Sequence, residues 1–149
     1  CSPADQPAVE RFFEEAWRDG PFPFDPAGAH ADLRRIEETY QSEGGLFVLL
    51  WDAGRIIGTI ALRPLAPGVG EIKRFTVHPD HRGRGHGRRL FRDALTYARH
   101  LGYMRVLLDT IRAPGPAMRL YEKHGFVEIP RYNDNPDADV FLQLDLTGR

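Results

Sequence analysis

The densest run of chemistry-bearing residues is Val77-His78-Pro79-Asp80-His81-Arg82-Gly83-Arg84-Gly85-His86-Gly87-Arg88-Arg89-Leu90. Three glycines alternate with basic residues between a strand-like run that ends at a proline and the start of an apolar-striped helix. Backbone N–H groups at a helix start have no intrahelical partner, and glycines let them approach a ligand closely, so such a loop suits an anion. Arg82, Arg84, Arg88 and Arg89 add positive charge, which makes phosphate the natural guest. Spacing excludes two common phosphate loops. A Walker loop needs Lys-Ser or Lys-Thr after its glycines, and none follows here. The dinucleotide pattern Gly-x-Gly-x-x-Gly fails at its third glycine from either start, at Arg88 and at Leu90. What remains is Arg82-x-x-Gly85-x-Gly87.

Other chemistries fit less well. His78, His81 and His86 share a loop without Cys or a His-Glu-x-x-His pattern, so solvated histidines are expected and no metal. With Ser2 and Ser42 as the only serines, a serine hydrolase is hard to assemble. The arginine-rich loop would also suit an RNA backbone. However, Lys+Arg is 20 against Asp+Glu 21, and no aromatic platform interleaves with the arginines, so nucleic acid is not expected as a partner. The one cysteine, Cys1, allows neither a disulfide framework nor a thiolate cluster. No apolar run approaches the ~20 residues that span a bilayer, and no signal-peptide pattern is present, so a cytoplasmic protein without a membrane partner is expected.

Positioning these residues requires a folded scaffold, and 149 residues with 42% hydrophobic content suffice for one domain, residues 1–149. Val9, Phe12, Phe13, Ala16 and Trp17 predict a helix over 8–19. Pro21, Pro23 and Pro26 then form a loop whose Phe22 and Phe24 either dock on the core or line a substrate pocket. Leu33, Ile36 and Tyr40 predict a second helix over 31–42. Strands follow at 46–51, 55–62 and 71–77, separated by turns at 52–54 and 64–70. Leu90, Phe91, Ala94, Leu95, Ala98 and Leu101 stripe a helix over 85–100. A strand at 104–109, a short helix carrying Ala117, Leu120, Tyr121 and His124, and strands at 126–129 and 140–146 complete an α/β layered domain around one sheet.

The Arg82–Gly87 segment resembles motif A of the GNAT superfamily of N-acetyltransferases, Gln/Arg-x-x-Gly-x-Gly/Ala between a strand and a helix. Downstream, Ala117-Met118-Arg119-Leu120-Tyr121-Glu122-Lys123-His124-Gly125-Phe126 resembles the family's second signature, Ala-x-x-Leu-Tyr-x-x-x-Gly-Phe. The resemblance covers residues 46 to 146 well and the first 45 loosely. It implies the GNAT acyl-CoA N-acyltransferase fold, a central mixed sheet with helices on both faces. It also implies acetyl-coenzyme A as co-substrate, its pyrophosphate held by Arg82, Gly83, Arg84, Gly85, His86, Gly87 and Arg88. The family splays two parallel strands, and the pantetheine arm pairs with the exposed edge of the first, here Phe75-Thr76-Val77, with Met104 to Thr110 as the splayed partner. The implied activity is direct transfer of acetyl to a primary amine, of a small molecule, in a ternary complex. The alternative is a non-catalytic module on the same fold that binds coenzyme A or RNA.

Two side chains carry the implied catalysis. Glu71 lies eleven residues before Arg82, the position of the catalytic glutamate in the histone-acetylating branch of the family. It is expected as base or amine ligand, or else as a structural ion-pair partner of Lys73 or an arginine. Strand alternation puts Glu71, Lys73, Phe75 and Val77 on one face. Tyr121 matches the family tyrosine that faces the coenzyme A sulfur, and a phenol can protonate a departing thiolate. Many relatives carry an Asn that contacts the cofactor where Pro114 stands here. The acceptor is expected against Phe22, Phe24, Tyr132, Asn133, Asp134 and Asn135, aromatic and acidic groups suited to a cationic amine, with ordinary surface loops as the alternative. Relatives usually open with a short edge strand that pairs with what is here Leu46 to Trp51. Roughly five to ten further N-terminal residues are therefore expected to supply it. Otherwise a second chain in a homodimer covers that edge, or the Pro21–Pro26 loop shields it.

Overall fold

The computed structural model describes residues 1–112 and 115–147. Helix α1 (Gln6–Ala16) buries Val9, Phe12, Phe13 and Ala16, and Pro7 sits in its first turn, where a missing N–H breaks no bond. Residues 31–42 are not one helix. A 3₁₀ turn (Ala31–Arg34) and α2 (Ile36–Tyr40) are separated at Arg35, whose backbone leaves the helical region at φ −134°, ψ 43°. Leu33, Ile36 and Tyr40 are all buried nonetheless, and the break leaves Asp32 free to reach across to the sheet.

Six strands, β1 (Leu46–Asp52), β2 (Arg55–Ala66), β3 (Val69–Val77), β4 (Arg105–Thr110), β5 (Val127–Ile129) and β6 (Val140–Asp145), form one mixed sheet in the order β1-β2-β3-β4-β6-β5. Only β3 and β4 are parallel neighbours. The expected 64–70 turn shrinks to Pro67-Gly68, because Pro64 does not end its strand. It lies beside a register shift, where a residue without an N–H is tolerated.

Helices α3 (His86–His100) and α4 (Pro116–Lys123) cover one face of the sheet. There Ile60, Leu62, Ile72, Leu90, Phe91 and Leu142 belong to the larger core. The opposite face carries a separate core in which α1 and α2 pack on Phe47, Ile56 and Ala61. Strand β1 forms the sheet edge and pairs only with β2 among the described residues. Trp51 on that edge is 45% exposed. The Pro21–Pro26 loop does not shield it: Phe24 packs on Phe13 and Trp17 of the α1 layer, and Phe22 goes to the cavity described below. Among the described residues, no helix is long and apolar enough to cross a membrane.

Candidate active site

The β3–β4 ladder holds three pairs, Val69↔Arg105, Gly70↔Val106 and Glu71↔Leu107, and stops. Beyond it a cavity of about 570 Å³ opens, lined by residues 72–76 of β3 and 108–110 of β4. From Ile72 onward the β4-facing edge of β3 has no strand partner among the described residues. Local structure explains how β3 turns away. Its pairing with β2 shifts register between Thr59 and Ala61, and Arg74 adopts a positive φ of 52°. The buried Thr59 hydroxyl donates to the Arg74 carbonyl at 2.7 Å and pins this bulge. A bulge inserts one residue and so reverses which face the following side chains take. Lys73 and Arg74 bond to Asp109 and Asp32, whereas Phe75 and Val77 pack into the α3 core. The single face expected for Glu71, Lys73, Phe75 and Val77 is thus corrected.

Tyr121, on α4, enters the cavity from the α3/α4 side. Only 6% exposed, its ring packs on Phe91, Phe126 and Phe75 at centroid distances of 5.3, 6.1 and 6.3 Å. The hydroxyl makes no hydrogen bond with the described residues. Burial, aided by the charge of Asp109, pushes the phenol well above its ordinary range, so it keeps its proton at neutral pH. Asp109, at the end of β4, lines the cavity with a side chain 6% exposed. It accepts from Lys73 Nζ (3.3 Å), Asn133 Nδ2 (2.6 Å) and Asn135 Nδ2 (3.3 Å). Burial pulls its pKa up, but Lys73 and the two asparagines outweigh that and hold it below the usual carboxylate value.

On the α1/α2 side, Trp17, Phe22, His30 and Arg74 form the wall. Arg74 makes a two-pronged pair with Asp32, Nη2–Oδ1 2.6 Å and Nε–Oδ2 2.9 Å, and the Tyr40 hydroxyl donates to the same carboxylate. His30 Nδ1 accepts the Asp25 N–H at 2.8 Å, which leaves the ring hydrogen on Nε2. Burial and the Arg74 charge lower its pKa, so the ring is neutral.

The glycine loop lies at the start of α3. Gly83 (φ 79°) and Gly85 (φ 84°) occupy the left-handed region, which other residues enter at a cost. Gly85 caps the helix without a side-chain bond, and no acidic residue occupies the first turn. The first intrahelical bond nearby runs from Arg89 N–H to the Gly85 carbonyl, which leaves earlier amides facing solvent. Arg82 Nε donates to the Val77 carbonyl at 3.0 Å, tying the loop to the end of β3. Arg82, Gly83, Arg84, His86, Gly87 and Arg88 therefore surround one helix N-terminus beside the free β3 edge, where Phe75, Thr76 and Val77 lie.

The model of the acetyltransferase (GNAT) family matches residues 9–126. The chain belongs to the GNAT acetyltransferase family. It is 34% identical over 119 residues to an uncharacterized N-acetyltransferase of Schizosaccharomyces pombe, covering 78% of this chain and 73% of that protein. Mouse N-acetyltransferase 8 is 35% identical over 103 residues, 65% of this chain and 45% of that one, so the chain spans under half of its length. A GNAT acetyltransferase from Staphylococcus aureus Mu50 superposes with a TM-score of 0.87 at 22% identity, covering 98% and 96% of the two chains. The PaiA N-acetyltransferase of Thermoplasma acidophilum, solved with coenzyme A, gives 0.73 at 19% identity over 97% and 95%. These two likenesses establish the fold, and family membership makes the chain an acyltransferase.

Of the residues expected to meet an acceptor, Phe22 and Asn135 line this cavity, whereas Phe24, Tyr132 and Asn133 do not. Glu71 is fully buried and does not line the cavity. Its Oε1 accepts from Arg63 Nε at 2.8 Å and its Oε2 from the Tyr132 hydroxyl at 2.6 Å. Of the two expectations for Glu71, the ion pair is present, and with Arg63, which faces it in register on β2, rather than with Lys73. Tyr132 and Asn133 stand behind the wall, holding Glu71 and Asp109. Phe24 is half-buried against His30, their rings 5.9 Å apart and stacked, and it too lies outside the lining. Asp109 carried a readable signal, a polar end on the apolar run Val106-Leu107-Leu108 at the C-terminal end of a parallel strand. Arg74 and Asp137, which also line the cavity, carried none. Pro114 lies outside the described residues.

Proposed function

We propose that the chain moves an acetyl group from acetyl-coenzyme A to a primary amine of a small molecule, by direct transfer in a ternary complex. The observation that carries this reading is a neutral, buried phenol, Tyr121, in the gap that opens where the β3–β4 ladder ends. The uncapped amides from Gly83 to Arg88 would take the pyrophosphate, and the β3 edge at Phe75–Val77 the amide-bearing pantetheine arm. The coenzyme-A-bound Thermoplasma relative supports that assignment through its shared fold. The thioester supplies an electrophilic carbonyl carbon.

The remaining steps fall to this chain. Asp109, held ionised, accepts a hydrogen bond from the incoming amine and orients its lone pair toward that carbon. As the new C–N bond forms and C–S breaks, Tyr121 gives its proton to the sulfur, and the proton shed by the amine restores the phenol. Glu71 is a positioning residue: with Arg63 it fixes Tyr132, whose neighbour Asn133 holds Asp109. Asp109 thereby takes the amine-ligand role expected of Glu71.

The test is to add acetyl-coenzyme A and follow thiol release across a panel of primary amines. Release that depends on the amine, with no acetylated protein in its absence, is the expected result. Cofactor binding without release for any amine would make the chain a non-catalytic module.

A further inference from the structure

The charges around the cavity nearly cancel in pairs. Lys73 is matched by Asp109, and Arg74 by Asp32 behind it. His30 is neutral, its pKa lowered by burial and Arg74 despite the opposing charges of Asp32, Asp25 and Asp137. Tyr121 is a protonated phenol. One carboxylate has no bonded partner among the described residues. Asp137, in the loop between β5 and β6, lines the cavity, and its carboxylate makes no hydrogen bond or ion pair with the described residues. Its nearest cationic neighbour in sequence, Arg131, donates instead to the Asn133, Asn135 and Ala138 carbonyls and sits over the Phe141 ring, outside the lining. Asp137 therefore sets a carboxylate with no bonded partner among the described residues in a cavity that Trp17 and Phe22 also line, and carboxylate and aromatic surface together attract a cation.

The position of that charge matters as much as its sign. Tyr121 belongs to the core on the α3/α4 face of the sheet, whereas Trp17 packs with the core on the α1/α2 face. The cavity passes through the splay from one face to the other. The Asp137 N–H donates to Asn135 Oδ1 at 3.0 Å and Asn135 Nδ2 donates to Asp109 at 3.3 Å, so a group at Asp137 lies one side chain away from the carboxylate that would hold the reacting amine.

Resting on the function proposed above, we infer that the acceptor is a dication: a primary amine with a second ammonium or guanidinium several bonds away, seated on Asp137 in the cavity that Trp17 and Phe22 also line. Asp137 is a specificity-determining residue for that distal charge.

The test compares α,ω-diamines of three to eight methylenes with n-alkylamines of equal length. In the wild type, diamines should exceed alkylamines at least tenfold in kcat/KM, through KM, with an optimum chain length. Asp137→Asn should bring the ratio toward one, and Asp137→Glu should restore it with a shorter optimum. Diamine binding to the coenzyme A complex, followed without turnover by tryptophan fluorescence, should show the same dependence on Asp137. A wild-type ratio near one, or a ratio unchanged in Asp137→Asn, overturns the inference while leaving acetyl transfer standing. Binding that depends on Asp137 without thiol release for any amine overturns the transfer reading and supports the distal-charge site.

Discussion

Tyr121 combines burial among three phenylalanines with a hydroxyl that opens onto a cavity. Such a phenol resists ionisation, which suits a donor to a developing thiolate and not a base. Tyr121→Phe should lower kcat about a hundredfold, with cofactor affinity nearly unchanged, as steady-state kinetics and titration would show. Retained turnover would leave the residue a packing role only. Glu71 makes a different expectation. Glu71→Gln leaves Arg63 facing a neutral amide and should cost about 2 kcal/mol of stability and raise the amine KM. The shape of the pH–rate profile should survive, because a positioning residue does not exchange the reacting proton. Loss of the acidic limb would restore Glu71 as the base.

At the scale of elements, the proposed function makes the glycine loop and the start of α3 one anion-binding unit. Acetyl-coenzyme A at a hundredfold excess over its dissociation constant should stabilise the fold by about 2.7 kcal/mol. Gly85→Glu should abolish that shift, since it puts bulk and negative charge at the helix start and forces a side chain into a left-handed residue. Melting with and without ligand measures both effects, and an intact shift would place the cofactor elsewhere. This unit was legible in the sequence because its signals are local: glycines at fixed spacing, then an apolar stripe. The short helix that brings Tyr121 to the cavity was legible for the same reason. The faces of β3 were not. Their reversal depends on the bulge at Arg74, held by a hydroxyl from the neighbouring strand, and a period-two pattern contains no sign of it. Phe24, Tyr132 and Asn133 had suitable chemistry for the acceptor wall. Which loop residues reach the cavity is decided by how two distant loops fold over it: Phe22 and Asn135 line it as one expectation had it, Asp137 joins them, and the other three stay outside.

At the scale of the molecule, Asp32 and Arg74 fasten the helical layer to the sheet beside the cavity. Burial pulls the Asp32 pKa up, but Arg74 and Tyr40 hold it below its ordinary value of 3.8. A carboxylate lowered in this way contributes stability that is fully present above the unfolded value and is lost as pH falls through the lower folded one. Wild-type stability should therefore drop as pH falls below about 4. Asp32→Asn should be weaker by about 3 kcal/mol at neutral pH, with its guanidinium partner left buried and unpaired, and should show a shallower acid limb in chemical denaturation. An acid limb as steep as the wild type's would mean that other carboxylates dominate it. The chain has two tryptophans, and the fold has sent them to unlike places: Trp17 to the cavity wall beside a guanidinium, Trp51 to the open margin of the sheet. Their emission is a pair of independent optical gauges. Filling the acceptor pocket should shift the light from Trp17 and leave Trp51 unmoved, whereas any strand that docks on β1 should blue-shift Trp51 alone. Trp17→Phe and Trp51→Phe, each retaining one indole, would separate the two signals and time each event without a label.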